Sequence, residues 1–82
     1  MATVVLQGEL ARRYAGGQTT VMIEAADYRA LVDALERRFP GVAAAVSVRT
    51  AVAIDGVIFQ EPLLEPIAPH SEVHFLPLIG GG

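Results

Sequence analysis

Two serines, two histidines, two tyrosines and nine carboxylates are the groups with which this sequence of 82 residues can do chemistry, and it contains neither Cys nor Lys. Ser47 and Ser71 lack the glycine-flanked elbow that exposes a nucleophile, and His70 and His74 sit in a simple strand approach, so no catalytic triad is expected. Four residues of extended chain put the two histidines roughly 13 Å apart, too far to share a metal ion unaided. Asp33 and Glu36 read as the solvated face of a helix rather than an acid/base pair. Gly16-Gly17 reads as a turn rather than a phosphate loop. The unusual feature is Gly80-Gly81-Gly82 at the end of the sequence. At ~7% average glycine usage, three final glycines arise by chance roughly once in a few thousand chains. Without Cβ atoms such a tail threads a narrow partner site and leaves its terminal carboxylate unhindered, with Leu78 and Ile79 anchoring its base. A frayed, inert tail is the plainer alternative.

The composition narrows the classes further. The net charge is -3, with every cation an Arg, so the phosphate-neutralising surface that dominates nucleic-acid binding is missing. No thiol means no disulfide framework, iron–sulfur cluster or cysteine-ligated zinc. No apolar run approaches the ~20 residues of a membrane span, and the start lacks a basic region followed by a long apolar stretch, so a cytoplasmic protein without membrane contact is expected. The length allows one folding unit. Hydrophobic residues make up 52% of the sequence and charged ones 18%, the latter below the ~25% of an average soluble protein. Part of the surface is therefore apolar, as a docking patch requires.

The elements that must carry the tail follow from periodicity. Thr3 to Gln7 reads as a strand, the stretch to Gly16-Gly17 as a loop, and Gln18 to Glu24 as a second strand with Val21 and Ile23 on its buried side. Asp27 is placed to cap a helix running to about Phe39, its stripe formed by Tyr28, Leu31, Val32, Leu35 and Phe39. Arg29, Asp33 and Arg37 are spaced for i,i+4 pairs. Pro40-Gly41 stops the helix. Val42 to Val46 is open between a further helical turn and a buried loop. Asp55-Gly56 within Ala51 to Phe59 predicts a type I′ hairpin. Pro62, Pro66 and Pro69 mark a connecting segment, and Glu72 to Leu76 is the final strand. Strand alternation places His74, Leu76 and Leu78 outward and Val73 and Phe75 inward. The order predicts an α+β fold, a mixed sheet packed on one main helix in the β-grasp arrangement, with a domain over 1–77 and a flexible tail over 78–82.

These residues resemble the small sulfur carriers of the MoaD/ThiS group. The segment Glu72-Val73-His74-Phe75-Leu76-Pro77-Leu78-Ile79-Gly80-Gly81-Gly82 lies without a gap on the ending E-V-A-F-F-P-P-V-small-G-G of members serving molybdopterin synthesis. The stretch from Tyr28 to Gly41 resembles the group's helix and its stop, and AVAIDGVIF resembles its V-A-V-N-G strand and turn. The resemblance implies a carrier that is not itself an enzyme and binds no cofactor. An ATP-dependent activating enzyme of the MoeB/ThiF type adenylates the Gly82 carboxylate, and a sulfur donor displaces AMP to leave a thiocarboxylate. The acceptor implied is a synthase subunit of the MoaE type or an enzyme of thiazole or cysteine synthesis, the length favouring the molybdopterin or cysteine type. Gly80, Gly81, Leu76, Pro77, Leu78 and Ile79 are the tail and partner-binding residues implied. A ubiquitin-like protein modifier and an interaction module with an inert tail share the same ending.

Overall fold

Alternation between apolar and solvent-tolerant residues sets the first element of the computed structural model, which describes residues 1–59, 62 and 64–77, with only the backbone of 47–50 and 77. In β1, Ala2–Leu6, Ala2, Val4 and Leu6 are buried and Thr3 and Val5 are half-buried. The stretch after it, expected to be a loop, is a helix, α1, spanning Gly8–Tyr14. Gln7 starts it by accepting the Glu9 N–H on its side-chain oxygen at 3.1 Å, and Leu10 and Ala11 bury one face. Gly16 and Gly17, both at positive φ, then turn the chain into β2, Thr20–Ile23, whose Val21 and Ile23 are buried as the alternation predicts.

Asp27 caps α2, Tyr28–Arg38, its Oδ1 accepting the Ala30 N–H at 2.8 Å. Leu31 and Leu35 form the fully buried part of the stripe, with Tyr28, Val32 and Phe39 packed against the core. The expected pairs among Arg29, Asp33 and Arg37 do not close to ion-pair distance; these exposed side chains gain little from being held together. An i,i+4 pair forms instead in α1, between Arg13 and Glu9 at 3.3 Å. Gly41, at φ +99°, ends the α2 region, and the segment left open by sequence is a third helix, α3, over Val42–Arg49. Glu36 is more than a solvated carboxylate: its two oxygens accept the N–H groups of Gly41 and Ala43 at 2.8 and 2.9 Å. It satisfies the free donors at the start of α3 from the preceding helix.

The second hairpin joins β3, Thr50–Ile54, to β4, Val57–Phe59, through Asp55 and Gly56 at φ +50° and +85°, the conformation a type I′ turn needs. The proline-rich connection is strapped to the start of α2: Tyr28 N–H donates to Glu65 O and Ile67 N–H to Ala26 O, each at 2.9 Å. It ends at β5, Glu72–Pro77. The sheet order is β2-β1-β5-β3-β4, with β1 and β5 parallel and the other pairs antiparallel. Inward residues of the strands meet Leu10, Ala11, Leu31, Leu35, Val42 and Val46 in one core. The architecture is the mixed-sheet α+β arrangement expected, with three helices in the helical layer where one main helix was foreseen.

Candidate functional site

The strand that leads to the glycine tail is the middle strand of the sheet. β5 lies between β1 and β3, and its Val73 and Phe75 are 0% and 1% exposed, so burial fixes which face each of its residues takes. Tyr28 packs its ring against Phe75 with centroids 6.2 Å apart, and burial pushes the Tyr28 hydroxyl up to about 12. With Val73 and Phe75 locked inward, His74 and Leu76 are turned to the opposite face, both half-buried, as alternation predicted. His74 meets the Glu72 carboxylate at 3.2 Å.

The two flanking strands release β5 at different points. Pairing with β1 ends at Leu6 and Phe75, whereas pairing with β3 continues through Ala51 and Leu76 to Thr50 and Pro77. Pro77, the last described position of β5, has no N–H to give to a ladder. The strand thus parts from β1 after Phe75 while it stays paired with β3 to Pro77, with Leu76 as its last described side chain. Leu78, Ile79, Gly80, Gly81 and Gly82, the remaining residues of the expected site, lie outside the described residues.

The other end of β5 is held by a polar junction that sequence reading missed. The Asp55 carboxylate accepts the Glu72 N–H on Oδ1 at 2.9 Å and the Ser71 hydroxyl on Oδ2 at 2.7 Å. Ser71 Oγ in turn accepts the Ala68 N–H at 2.9 Å. Asp55 N–H donates to Glu72 O, and Thr3 N–H to Ser71 O, both at 2.9 Å. The Glu72 N–H, and after it the Ser71 hydroxyl, hold the Asp55 carboxyl below the usual carboxylate range. The signal available in the sequence was an Asp before Gly in a tight turn, which fixes the backbone but does not name the groups its side chain will meet. Ser71, read only as a serine without a nucleophilic elbow, is 2% exposed and serves as the bridge.

Among the described residues no three His, Asp or Glu side chains come together in a group able to hold a metal ion, and no helix is long and apolar enough to cross a membrane. What the described residues offer here is the end of β5, paired with β1 as far as Phe75 and with β3 as far as Pro77. A model of the ThiS family matches residues 4–82, a span that takes in β5 and the glycine ending. The chain belongs to the ThiS family.

Solved structures agree on the fold of this ThiS-family protein. It matches Mycobacterium tuberculosis CysO, described as an antigen, with a TM-score of 0.87 at 20% identity, over 96% of this chain and 100% of that one. The Amycolatopsis orientalis BexX/CysO complex gives a TM-score of 0.87 at 20% identity, over 100% of both chains. The small archaeal modifier protein from Methanosarcina acetivorans gives 0.82 at 17% identity, over 99% and 95%. No curated protein sequence matches significantly. Family and fold together identify a ubiquitin-like β-grasp protein of the MoaD/ThiS sulfur-carrier type.

Proposed function

We propose that this ThiS-family chain carries sulfur as a thiocarboxylate on Gly82 and delivers it to a biosynthetic enzyme. The observation that carries the reading is the run of the family match through residue 82, continuing a central strand whose register is fixed on both sides. A carboxylate is a poor electrophile. An activating enzyme of the MoeB/ThiF type therefore joins the Gly82 carboxylate oxygen to the α-phosphorus of ATP and releases pyrophosphate. A sulfur donor then attacks the acyl carbon, AMP leaves, and the terminal oxygen has been exchanged for sulfur. The carrier supplies no catalytic side chain and binds no cofactor of its own; ATP belongs to the partner.

Gly80 and Gly81 give the tail its narrow profile, since a backbone without Cβ atoms enters a slot that other residues do not. Leu76, Pro77, Leu78 and Ile79 form the apolar root on which a partner closes. The absence of Cys from the sequence leaves the thiocarboxylate no internal thiol to pair with. The E-V to G-G ending favours an acceptor of the molybdopterin-synthase type, with an enzyme of cysteine synthesis as the second reading. The fold shared with an archaeal modifier protein supports a third use of the same activation, attachment of the tail to lysines of target proteins.

Accurate intact mass after incubation with a candidate activating enzyme, ATP and a sulfur donor tests the proposal. The expected change is one oxygen replaced by sulfur, localised to the C-terminal fragment because oxidation of Met1 or Met22 gives nearly the same nominal mass. An unmodified C-terminus in the presence of an enzyme that activates a control carrier refutes sulfur carriage. Covalent adducts on lysines in cell extract favour the modifier reading.

A further inference from the structure

We propose that Asp55-Gly56 is a latent modification site, held by the fold against spontaneous conversion to isoaspartate and opened when Ser71 and Glu72 release the Asp55 carboxylate. Asp27 and Asp33 precede Tyr and Ala; Asp55 alone precedes Gly, and the sequence has no Asn. With no Cβ beside it, the Gly56 nitrogen is an unhindered nucleophile towards the neighbouring side-chain carbon. In the reaction that nitrogen bonds to Asp55 Cγ, the carboxyl hydroxyl leaves as water with the amide proton, and a succinimide ring closes. Water then adds to either ring carbonyl. Cleavage at the side-chain carbon restores Asp, whereas cleavage at the main-chain carbon leaves the peptide running through Cβ and Cγ as isoaspartate. Both residues are exposed, and an added Cβ at Gly56 would meet nothing within 4 Å, so water has access to the ring.

Two features of the fold keep the ring from closing. The first is the turn. Asp55 and Gly56 take φ +50° and +85°, the type I′ pattern, in which the first central residue has a ψ of about +30°. At that angle the Gly56 nitrogen stands nearly opposite Cβ across the Cα–C bond, whereas ring closure needs it on the same side. The second feature is the hold on the carboxylate. Its Oδ1 accepts the Glu72 N–H at 2.9 Å and its Oδ2 the Ser71 hydroxyl at 2.7 Å. Those bonds keep Cγ against the start of β5 and favour the ionised group, which lacks the hydroxyl that must leave. Asp55 N–H also donates to Glu72 O at 2.9 Å, so main chain and side chain of one residue are tied to the same strand end. Ring closure therefore requires the junction to open.

Conversion is a one-way change for the hairpin. The isoaspartyl linkage adds a carbon to the main chain between Ile54 and Val57, the pair that closes the turn. The former side-chain carboxyl has become part of that main chain. The carboxylate that remains is attached directly to Cα, one carbon short of the place where Ser71 and Glu72 donate. Ser71 is 2% exposed, so its hydroxyl is left without an acceptor and away from water. A chain whose junction opens long enough to react does not rebuild it, and β5 loses the hold at its Glu72 end. The reaction consumes only water and needs neither a partner nor an activated tail.

Timed incubation of the full chain at neutral pH, folded and in concentrated urea, tests the proposal. Isoaspartate is counted with an isoaspartyl-specific methyltransferase and located by peptide mapping. It should accumulate at Asp55 in urea and about thirtyfold or more slowly in the folded chain, since only opened molecules react. Ser71→Ala should speed conversion of the folded chain about five- to thirtyfold, the factor by which a lost hydrogen-bond pairing shifts an opening equilibrium. Gly41→Ala, which weakens the fold away from the junction, should leave the rate near that of the unaltered chain. Asp55→Glu, whose longer side chain closes no succinimide, should give no product at that position. Equal rates in the folded chain and in urea, a comparison that needs no variant, overturn the proposal. So does a folded Ser71→Ala chain that converts no faster than the unaltered one, or equal acceleration by Gly41→Ala.

Discussion

Ser71 shows how much one hydroxyl can fix. It lies 2% exposed, taking the Ala68 N–H and giving its own proton to Asp55. Ser71→Ala takes the acceptor from the part-buried Ala68 N–H and a donor from the Asp55 carboxylate, and a loss of about 1–2 kcal/mol is expected by urea denaturation. Titratable residues set the pH limits of the fold. Glu36 is held below its usual range by the Gly41 and then the Ala43 N–H, and Asp55 by Glu72 and then Ser71. The unfolded chain takes up these protons more readily than the folded one, so their contribution is complete above the ordinary carboxylate range of about 4 and is lost as pH falls through the lowered values. Tyr28 acts with the opposite sign. Its hydroxyl, raised to about 12 by burial, favours folding below the ordinary tyrosine value of about 10, and that contribution is lost as pH rises through the folded value. Thermal melts should therefore fall at both extremes, and Tyr28→Phe should remove part of the alkaline fall. At this scale sequence reading located the helix cap at Asp27 and the outward His74 and Leu76, because each depends on near neighbours in the chain. It missed the partners of Asp55 and Ser71, because 16 residues separate them.

Among the elements, α1 and α3 were the ones hidden from sequence. In α1, Leu10, Ala11, Tyr14 and Ala15 carry helical spacing, but only seven residues separate Gln7 from Ala15 and glycines flank both ends, so turn signals dominate the reading. In α3, the run Val42 to Val46 is apolar on every side, and its cap is supplied from Glu36 in another helix. By contrast, α2 was legible because its apolar stripe, its cap and its stop all fall within one short stretch. Gly41 connects the two helices. An added Cβ there would stand 3.0 Å from the Tyr14 ring, at φ +99°. Gly41→Ala should therefore cost about 1–3 kcal/mol from backbone strain and crowding together, and chemical denaturation is the check. If Tyr14 swings aside, the backbone term persists, so Tyr14→Ala in the same chain should recover only part of the loss.

For the whole molecule, the division of labour between faces is the main result. One face of β5 is sealed into the core through Val73 and Phe75, and the other presents Leu76 beside Ala51. Leu76→Asp should weaken binding of an activating partner at least tenfold while shifting the melting temperature little, measured by calorimetric titration and thermal denaturation; an equal loss of stability contradicts the placement of Leu76. The mixed sheet and its buried alternation were legible in the sequence. The path of the glycine tail lies outside the described residues, and the number of helices was set by packing between distant segments. The parallel pairing of β1 with β5 also governs how the chain assembles. Without the ladders of residues 72–77 the sheet's pairings reduce to two hairpins, β1 with β2 and β3 with β4, that share no ladder. Closing it joins Thr3 to Glu72 across nearly the full length of the sequence, a distant contact of the kind that slows folding. The strand that bears the tail is thus the keystone of the sheet, and a chain damaged in that strand forfeits the scaffold along with the site.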